Sequence, residues 1–384
     1  MNALRDTLQH YVDNGTVPGA LGLLSTGDDV DVVTVGSMDV PGTAPMARDS
    51  IFRIASITKP IAAAAVLMLV EEGRLDLDVP IETWLPELAK PDVVRTPDSP
   101  VEDVVPAARP ITVEDLLTSR TGWGFPSDFG LPAVQALFTV QKDGRALQGW
   151  PDQDTWLRRL AEVPMLHQPG AAWLYGTSSD LQGILVARAS GRSFADFLAE
   201  RVFEPLGMTD TAFDVPVAKR HRFTSFYTPA PEGGLQLADG PAGEWSSVPR
   251  FQSGGGGLAS TADDYLAFAR MLLNGGESEG RRLLTPASVA RMTTNHLTTE
   301  QREKVTLFLE GQGWGYGGQV DVTSADPWSI PGRYGWVGGT GTTAYIVPSR
   351  GTAAILLTQV GMESPTPTPL MRDFWRSAAA IQAG

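Results

Sequence analysis

The 384-residue chain has no cysteine. That alone excludes thiol nucleophiles, disulfides and thiolate metal sites. Histidine is scarce: His10, His167, His221 and His296 stand in unrelated settings, and no His-Glu-x-x-His helix is present. A metal centre is not expected, and neither is any other cofactor. Positive charge is thin, with 30 Lys and Arg against 44 Asp and Glu and a formal net charge of −14. No basic run occurs, so the footprint of phosphate binding is missing and a nucleic-acid partner is not expected. Long apolar runs are missing as well. The longest, Pro60 to Val70, is about half the length a membrane span needs. The opening Met1-Asn2-Ala3-Leu4-Arg5-Asp6 does not read as a signal peptide. A soluble, cytoplasmic protein acting on a small molecule is expected, with its oligomeric state open. No Gly-x-Ser-x-Gly elbow is present, nor a Walker-type loop, nor a Gly-x-Gly-x-x-Gly that opens a helix after a strand.

What is present reads as a mixed α/β chain. Residues 2–13 predict an amphipathic helix closed by Asn14-Gly15. Ala20 to Leu24 and Val30 to Val35 predict a hairpin across Gly27-Asp28-Asp29. That acidic tip lacks the ligand spacing of a calcium loop and reads as a solvated turn. A strand from Ile51 to Ala55 leads to Ser56, then to a helix ending at Glu72-Gly73. This helix is apolar on nearly every face and should be buried. From Leu75 to about residue 250, helical pieces alternate with Pro- and Gly-rich loops, and Lys90 to Pro110 reads as one long surface loop. Beyond lie a Gly-rich turn at 253–257, a helix from Ser260 to Leu273, strand-like runs at 313–320, 335–347 and 352–359, and a last helix from Leu370 to Ala380. This order predicts an α+β fold whose antiparallel sheet is built from both chain ends and flanked by the terminal helices. Residues 1–80 and 251–384 would form that part, 81–250 a mainly helical second lobe, with the site between them.

Among five lysines, only Lys59 has a serine three residues before it, Ser56. Such a pair arises by chance in about a third of chains of this composition. Its context gives it weight. A lysine in apolar surroundings loses part of its preference for charge and can take a serine proton. The start of the helix offers backbone N–H groups to an oxyanion. The plain alternative is an N-cap serine beside a surface lysine.

Two further segments bear on the choice: Pro169-Gly170-Ala171-Ala172-Trp173-Leu174-Tyr175-Gly176-Thr177-Ser178-Ser179-Asp180, and Tyr334-Gly335-Trp336-Val337-Gly338-Gly339-Thr340-Gly341-Thr342. With Ser56-Ile57-Thr58-Lys59-Pro60, they resemble in order and spacing the three motifs of the serine hydrolases related to class C β-lactamases and penicillin-binding proteins, and most closely the family VIII carboxylesterases. Ile111 to Thr118 with Gly122, Phe203 to Met208, and Gly256 to Thr261 are similar to further signatures of that superfamily. The resemblance runs from about residue 5 to 380.

The resemblance implies the β-lactamase/transpeptidase-like fold. It implies Ser56 as the acyl-forming nucleophile, Lys59 as the group that helps deprotonate it, and Tyr175 as the proton shuttle. The backbone N–H groups of Ser56 and Gly339 would form the oxyanion hole. Where lactamases of this type carry Lys-Thr-Gly, this chain has Trp336-Val337-Gly338, which lacks the cation for a substrate carboxylate and resembles the esterase branch. Thr177 stands near the place where many relatives have an asparagine that contacts an acyl-side amide. Trp336, Gly338, Thr177, and the loop residues Trp123 and Phe125 are therefore the expected substrate-binding set. Arg120 and Arg333 are the arginines that could restore a cation. The expected activity is hydrolysis of carboxylic esters of uncharged, fairly apolar substrates. A β-lactamase, D-peptidase, amidase or acyltransferase with the same machinery is the alternative, and a catalytically dead binder a further rival.

Overall fold

A computed structural model describes residues 1–142 and 144–382. Its centre is a seven-stranded sheet in the order Gly313–Trp314, Gln319–Val320, Tyr334–Gly338, Thr342–Val347, Thr352–Thr358, Gly19–Thr26, Asp29–Gly36. Every neighbouring pair is antiparallel. The two ends of the chain meet where Ala20 pairs with Thr358 and Thr26 with Thr352. The central strands are buried almost throughout, which explains their unbroken apolar sequences.

Helices cover both faces. The terminal helices, Asn2–Asp13 and Pro369–Ile381, lie on one side. At Gly22 a Cβ would come within 3.2 Å of both Leu8 and Phe374, so the glycine lets both helices approach the strand. Trp375 and Ala378 sit with Tyr345 and Ala354 on that face. The helix Ala262–Leu273 covers the other, with Tyr265 and Leu272 near Ala344, Ile346 and Ile355. Alternate strand residues thus serve opposite faces.

The helix Lys59–Glu71 is buried at every position from Lys59 to Leu69, as its uniform apolarity requires. It packs against Thr177–Ser190, which is nearly as deeply buried. The small side chains Ala62 to Ala65 suit such a close approach. One continuous buried cluster joins residues of these helices to the sheet.

Three expectations need correction. Lys90 to Pro110 is not one loop: Asp92–Val94 pairs with Val104–Pro106 in a short ribbon. The run 313–320 is two short strands of a hairpin, and 335–347 is two strands joined by a turn at 339–341. In the last two cases β-type composition continues through a glycine-bearing turn, so composition alone shows no break; in the first, the prolines between the two short strands hide them.

Candidate active site

Ser56 follows a backbone held from several sides. The two-residue strand Phe52–Arg53 pairs with Ala259–Ser260. The buried Arg53 guanidinium donates to Asp239 (Nε, 3.0 Å), to the Thr224 carbonyl (2.6 Å) and to the Gly240 carbonyl (2.9 Å). It also lies 4.0 Å from the Phe223 ring centroid. Thr340 and Thr342 hydroxyls donate to the carbonyls of Arg53 and Ile54. Held in this way, Ala55 adopts φ +44°, a left-handed conformation that costs a non-glycine residue about 1 kcal/mol. Ser56 then sits in a 3₁₀ turn, Ala55–Thr58, and the α-helix begins at Lys59.

Four side chains converge here. The Tyr175 hydroxyl donates to Ser56 Oγ at 2.8 Å. Trp336 Nε1 donates to the Tyr175 oxygen at 3.0 Å. Lys59 Nζ lies 4.7 Å from the Tyr175 ring centroid and donates to the Gly255 carbonyl at 2.5 Å. Tyr175 is fixed by reciprocal backbone bonds with Phe125 (2.9 and 3.0 Å) and by stacking on Phe308, with centroids 4.8 Å apart.

The cleft has two halves that share Ser56, Phe125, Arg145, Tyr175 and Gly339. One, of about 450 Å³, is walled by Phe129, Phe138, Phe308, Trp336, Val337 and Met362. The other, of about 200 Å³, is lined by Lys59, Gln141, Lys142, Trp150, Asp180 and Ser253. Asp180 is fully buried, and burial raises its carboxyl above the ordinary range, against the opposing pull of Ser253, the Lys59 charge and the Gly255 N–H.

Of the residues expected from the sequence, Ser56, Lys59, Tyr175, Trp336, Gly339 and Phe125 come together. Three do not line the cleft. Trp123 is 1% exposed, and its Nε1 donates to the Val163 carbonyl, so it belongs to the core. Gly122 (φ +107°) and Gly124 (φ +140°) bend the loop and turn Trp123 inward while Phe125 faces the cleft. Thr177 is buried, and its hydroxyl donates to Gln141 Oε1. Gly338 is glycine for packing: a Cβ there would stand 2.2 Å from Thr342 Oγ1 and 2.5 Å from the Ile54 carbonyl. At Gly339, by contrast, a Cβ would meet open space.

The arginines need correction too. Arg120 donates to the Thr118 hydroxyl. Arg333 is buried beside Asp321, 3.5 Å from the Tyr345 ring centroid. Neither lines the cleft, whereas Arg145 lines both halves. Asp180, Ser253, Gln141, Phe308 and Met362 were also missed. Asp180 lies five positions after Tyr175, and its helix shows no polar face that would have marked it as unusual. Among the described residues, no three His, Asp or Glu cluster in a way that could hold a metal ion. No helix among them is long and apolar enough to cross a membrane.

The family model described as Beta-lactamase matches residues 4–378. Protein Rv1367c of Mycobacterium tuberculosis strain H37Rv is 36% identical over 362 residues, covering 92% of this chain and 88% of that protein. Esterase EstB of Burkholderia gladioli is 32% identical over 362 residues, covering 88% and 85%. Among solved structures, EstCE1, titled a hydrolase with promiscuous acyltransferase activity, superposes with a TM-score of 0.79 at 22% identity, covering 98% of this chain and 97% of that one. The fold is thus β-lactamase/transpeptidase-like, and the family and its esterase members support a hydrolase with a small-molecule substrate. The chain belongs to the β-lactamase family.

Proposed function

We propose that this chain is a serine hydrolase that cleaves carboxylic esters of uncharged, fairly apolar substrates through an acyl-enzyme on Ser56. The observation that carries the reading is the line Trp336 Nε1, Tyr175 Oη, Ser56 Oγ, with bonds of 3.0 and 2.8 Å. In the reacting form the Tyr175 phenol has released its proton to solvent, so that Ser56 Oγ attacks the ester carbonyl and passes its own proton to the Tyr175 oxygen. Beside Tyr175, the Lys59 ammonium and the Trp336 N–H both favour negative charge on the phenol oxygen. The backbone N–H groups of Ser56 and Gly339 receive the developing oxyanion. As the intermediate collapses, Tyr175 returns the proton to the leaving alkoxide. Water then repeats the sequence on the acyl-enzyme and restores Ser56.

Substrate choice follows from the walls. The larger half of the cleft is aromatic and suits an apolar group. Phe125 and Trp336 would contact it, with Gly339 leaving the carbonyl room to approach. The reading takes the cleft to lie between a sheet-bearing part, 1–80 with 251–384, and a mainly helical part, 81–250. The test compares a neutral nitrophenyl ester with a chromogenic cephalosporin in one buffer. Efficient turnover of the ester supports the reading, and comparable turnover of the cephalosporin overturns the ester preference.

Acyl transfer to an alcohol shares every step up to the acyl-enzyme. It gains support from the acyltransferase activity named for EstCE1. Adding a primary alcohol to the ester assay separates the two, since transfer yields a new ester in place of free acid.

A further inference from the structure

Behind Lys59 lies a carboxylate that the proton path above does not use. Asp180, on the helix Thr177–Ser190, is 2% exposed. Its Oδ1 accepts from the Ser253 hydroxyl at 2.5 Å and from the Gly255 N–H at 3.0 Å. Its Oδ2 accepts from Gln141 Nε2 at 2.8 Å. The Gln141 amide is oriented by its own oxygen, which accepts from the Thr177 hydroxyl. Three donors therefore point at Asp180 from two separate segments, the turn at 253–255 and Gln141. An ionised carboxylate, which only accepts, matches all three.

The link to Lys59 is a single residue. Gly255 donates to Asp180 through its N–H and accepts from Lys59 Nζ through its carbonyl. The contact is tight, since a Cβ on Gly255 would stand 2.9 Å from Asp180 Oδ1 and 3.1 Å from Oδ2. Lys59 is itself only 3% exposed. The other charged or titratable groups lining this half of the cleft are Tyr175, Lys142 and Arg145. Among the described residues there, Asp180 is the one acid.

We infer that Asp180 is a positioning residue for Lys59: it fixes the Gly255 carbonyl that holds the ammonium, and its negative charge offsets the buried positive one. This rests on the nucleophile reading of Ser56, but not on the choice of ester as substrate. An anion beside a cation damps the field that the cation exerts on its neighbours. Without the anion, the Lys59 charge, 4.7 Å from the Tyr175 ring, acts on the proton path unopposed, and the nucleophile becomes reactive at lower pH.

The experiment is the second-order rate of fluorophosphonate labelling across pH, for wild type and Asp180→Asn. Asn keeps the shape and removes the charge. The expected result is an acid limb displaced by about one unit toward lower pH, the size of shift a removed neighbouring charge gives. An acid limb that stays in place, with rates lowered equally at every pH, overturns the inference and makes Asp180 merely structural. If Asp180→Asn does not fold, Lys59→Met probes the pair from the other side. It leaves a buried, unpaired carboxylate, so its loss of Tm relative to wild type should be larger at pH 8 than at pH 5.5. Equal losses at both pH values overturn the inference. Failure of the wild type to label on Ser56 is a different result, and refutes the nucleophile reading itself.

Discussion

Trp336 donates its indole N–H to the same Tyr175 oxygen that reaches Ser56. A tryptophan where related lactamases keep a cation is therefore more than an apolar wall. It is a neutral hydrogen-bond donor aimed at the atom proposed to carry the proton. A donor there favours charge on the phenol oxygen without offering a partner to a substrate carboxylate.

Trp336→Phe should separate these two roles. It keeps an aromatic wall and removes the N–H. The kcat/KM for a neutral ester should fall about tenfold, the worth of one hydrogen bond of roughly 1.4 kcal/mol. Thermal stability should change little. An unchanged kcat/KM would show that the bond has no part in proton transfer.

Lys59→Ala and Tyr175→Phe should each lower turnover by about a hundredfold or more, as loss of a general base does. Because Lys59 faces the Tyr175 ring at 4.7 Å, the two should act as a unit. The double variant should then be little worse than the poorer single one. Additive losses measured by steady-state kinetics would show separate proton paths.

Gly338 and Gly339 should respond in opposite ways to alanine. Gly338→Ala places a methyl against the Ile54 carbonyl and Thr342 Oγ1, and should lower Tm through overpacking worth about 1–3 kcal/mol. Gly339→Ala meets no protein atom within 4 Å but projects into the cleft. It should keep the wild-type Tm and lose ester turnover. Melting curves and kcat/KM together check the pair.

The convergence of the candidate site's residues was legible because they stand in short, ordered motifs whose local geometry is nearly fixed. Ser56 and Lys59 are one turn apart, and Trp336 and Gly339 flank one strand end. What was not legible depends on how loops turn. Trp123 and Phe125 are two residues apart in one Gly-rich loop, yet one is core and the other faces the cleft. That outcome is set by the φ values of Gly122 and Gly124, which a sequence does not display. Asp180 was missed because an acid in a helix ordinarily faces water, and its three donors come from distant segments. Arg145 lies outside every motif, so only the folded chain brings it to the cleft.

Arg145 bears on the preference for neutral substrates. It lines both halves of the cleft, where Arg120 and Arg333 do not. The wild-type enzyme should favour a neutral nitrophenyl ester over a cephalosporin by about a thousandfold in kcat/KM, or roughly 4 kcal/mol. Any residual cephalosporin turnover should fall further in Arg145→Met, while the neutral ester is spared. Equal losses for both substrates would show that Arg145 does not read a carboxylate.

The central claim is that Ser56 carries the acyl group. Intact-mass spectrometry and peptide mapping after reaction with a fluorophosphonate or a slowly deacylating ester test it most directly. The account predicts one adduct, on Ser56, and none on a folded Ser56→Ala protein that has lost activity. An adduct on another residue, or an active Ser56→Ala enzyme, would contradict it.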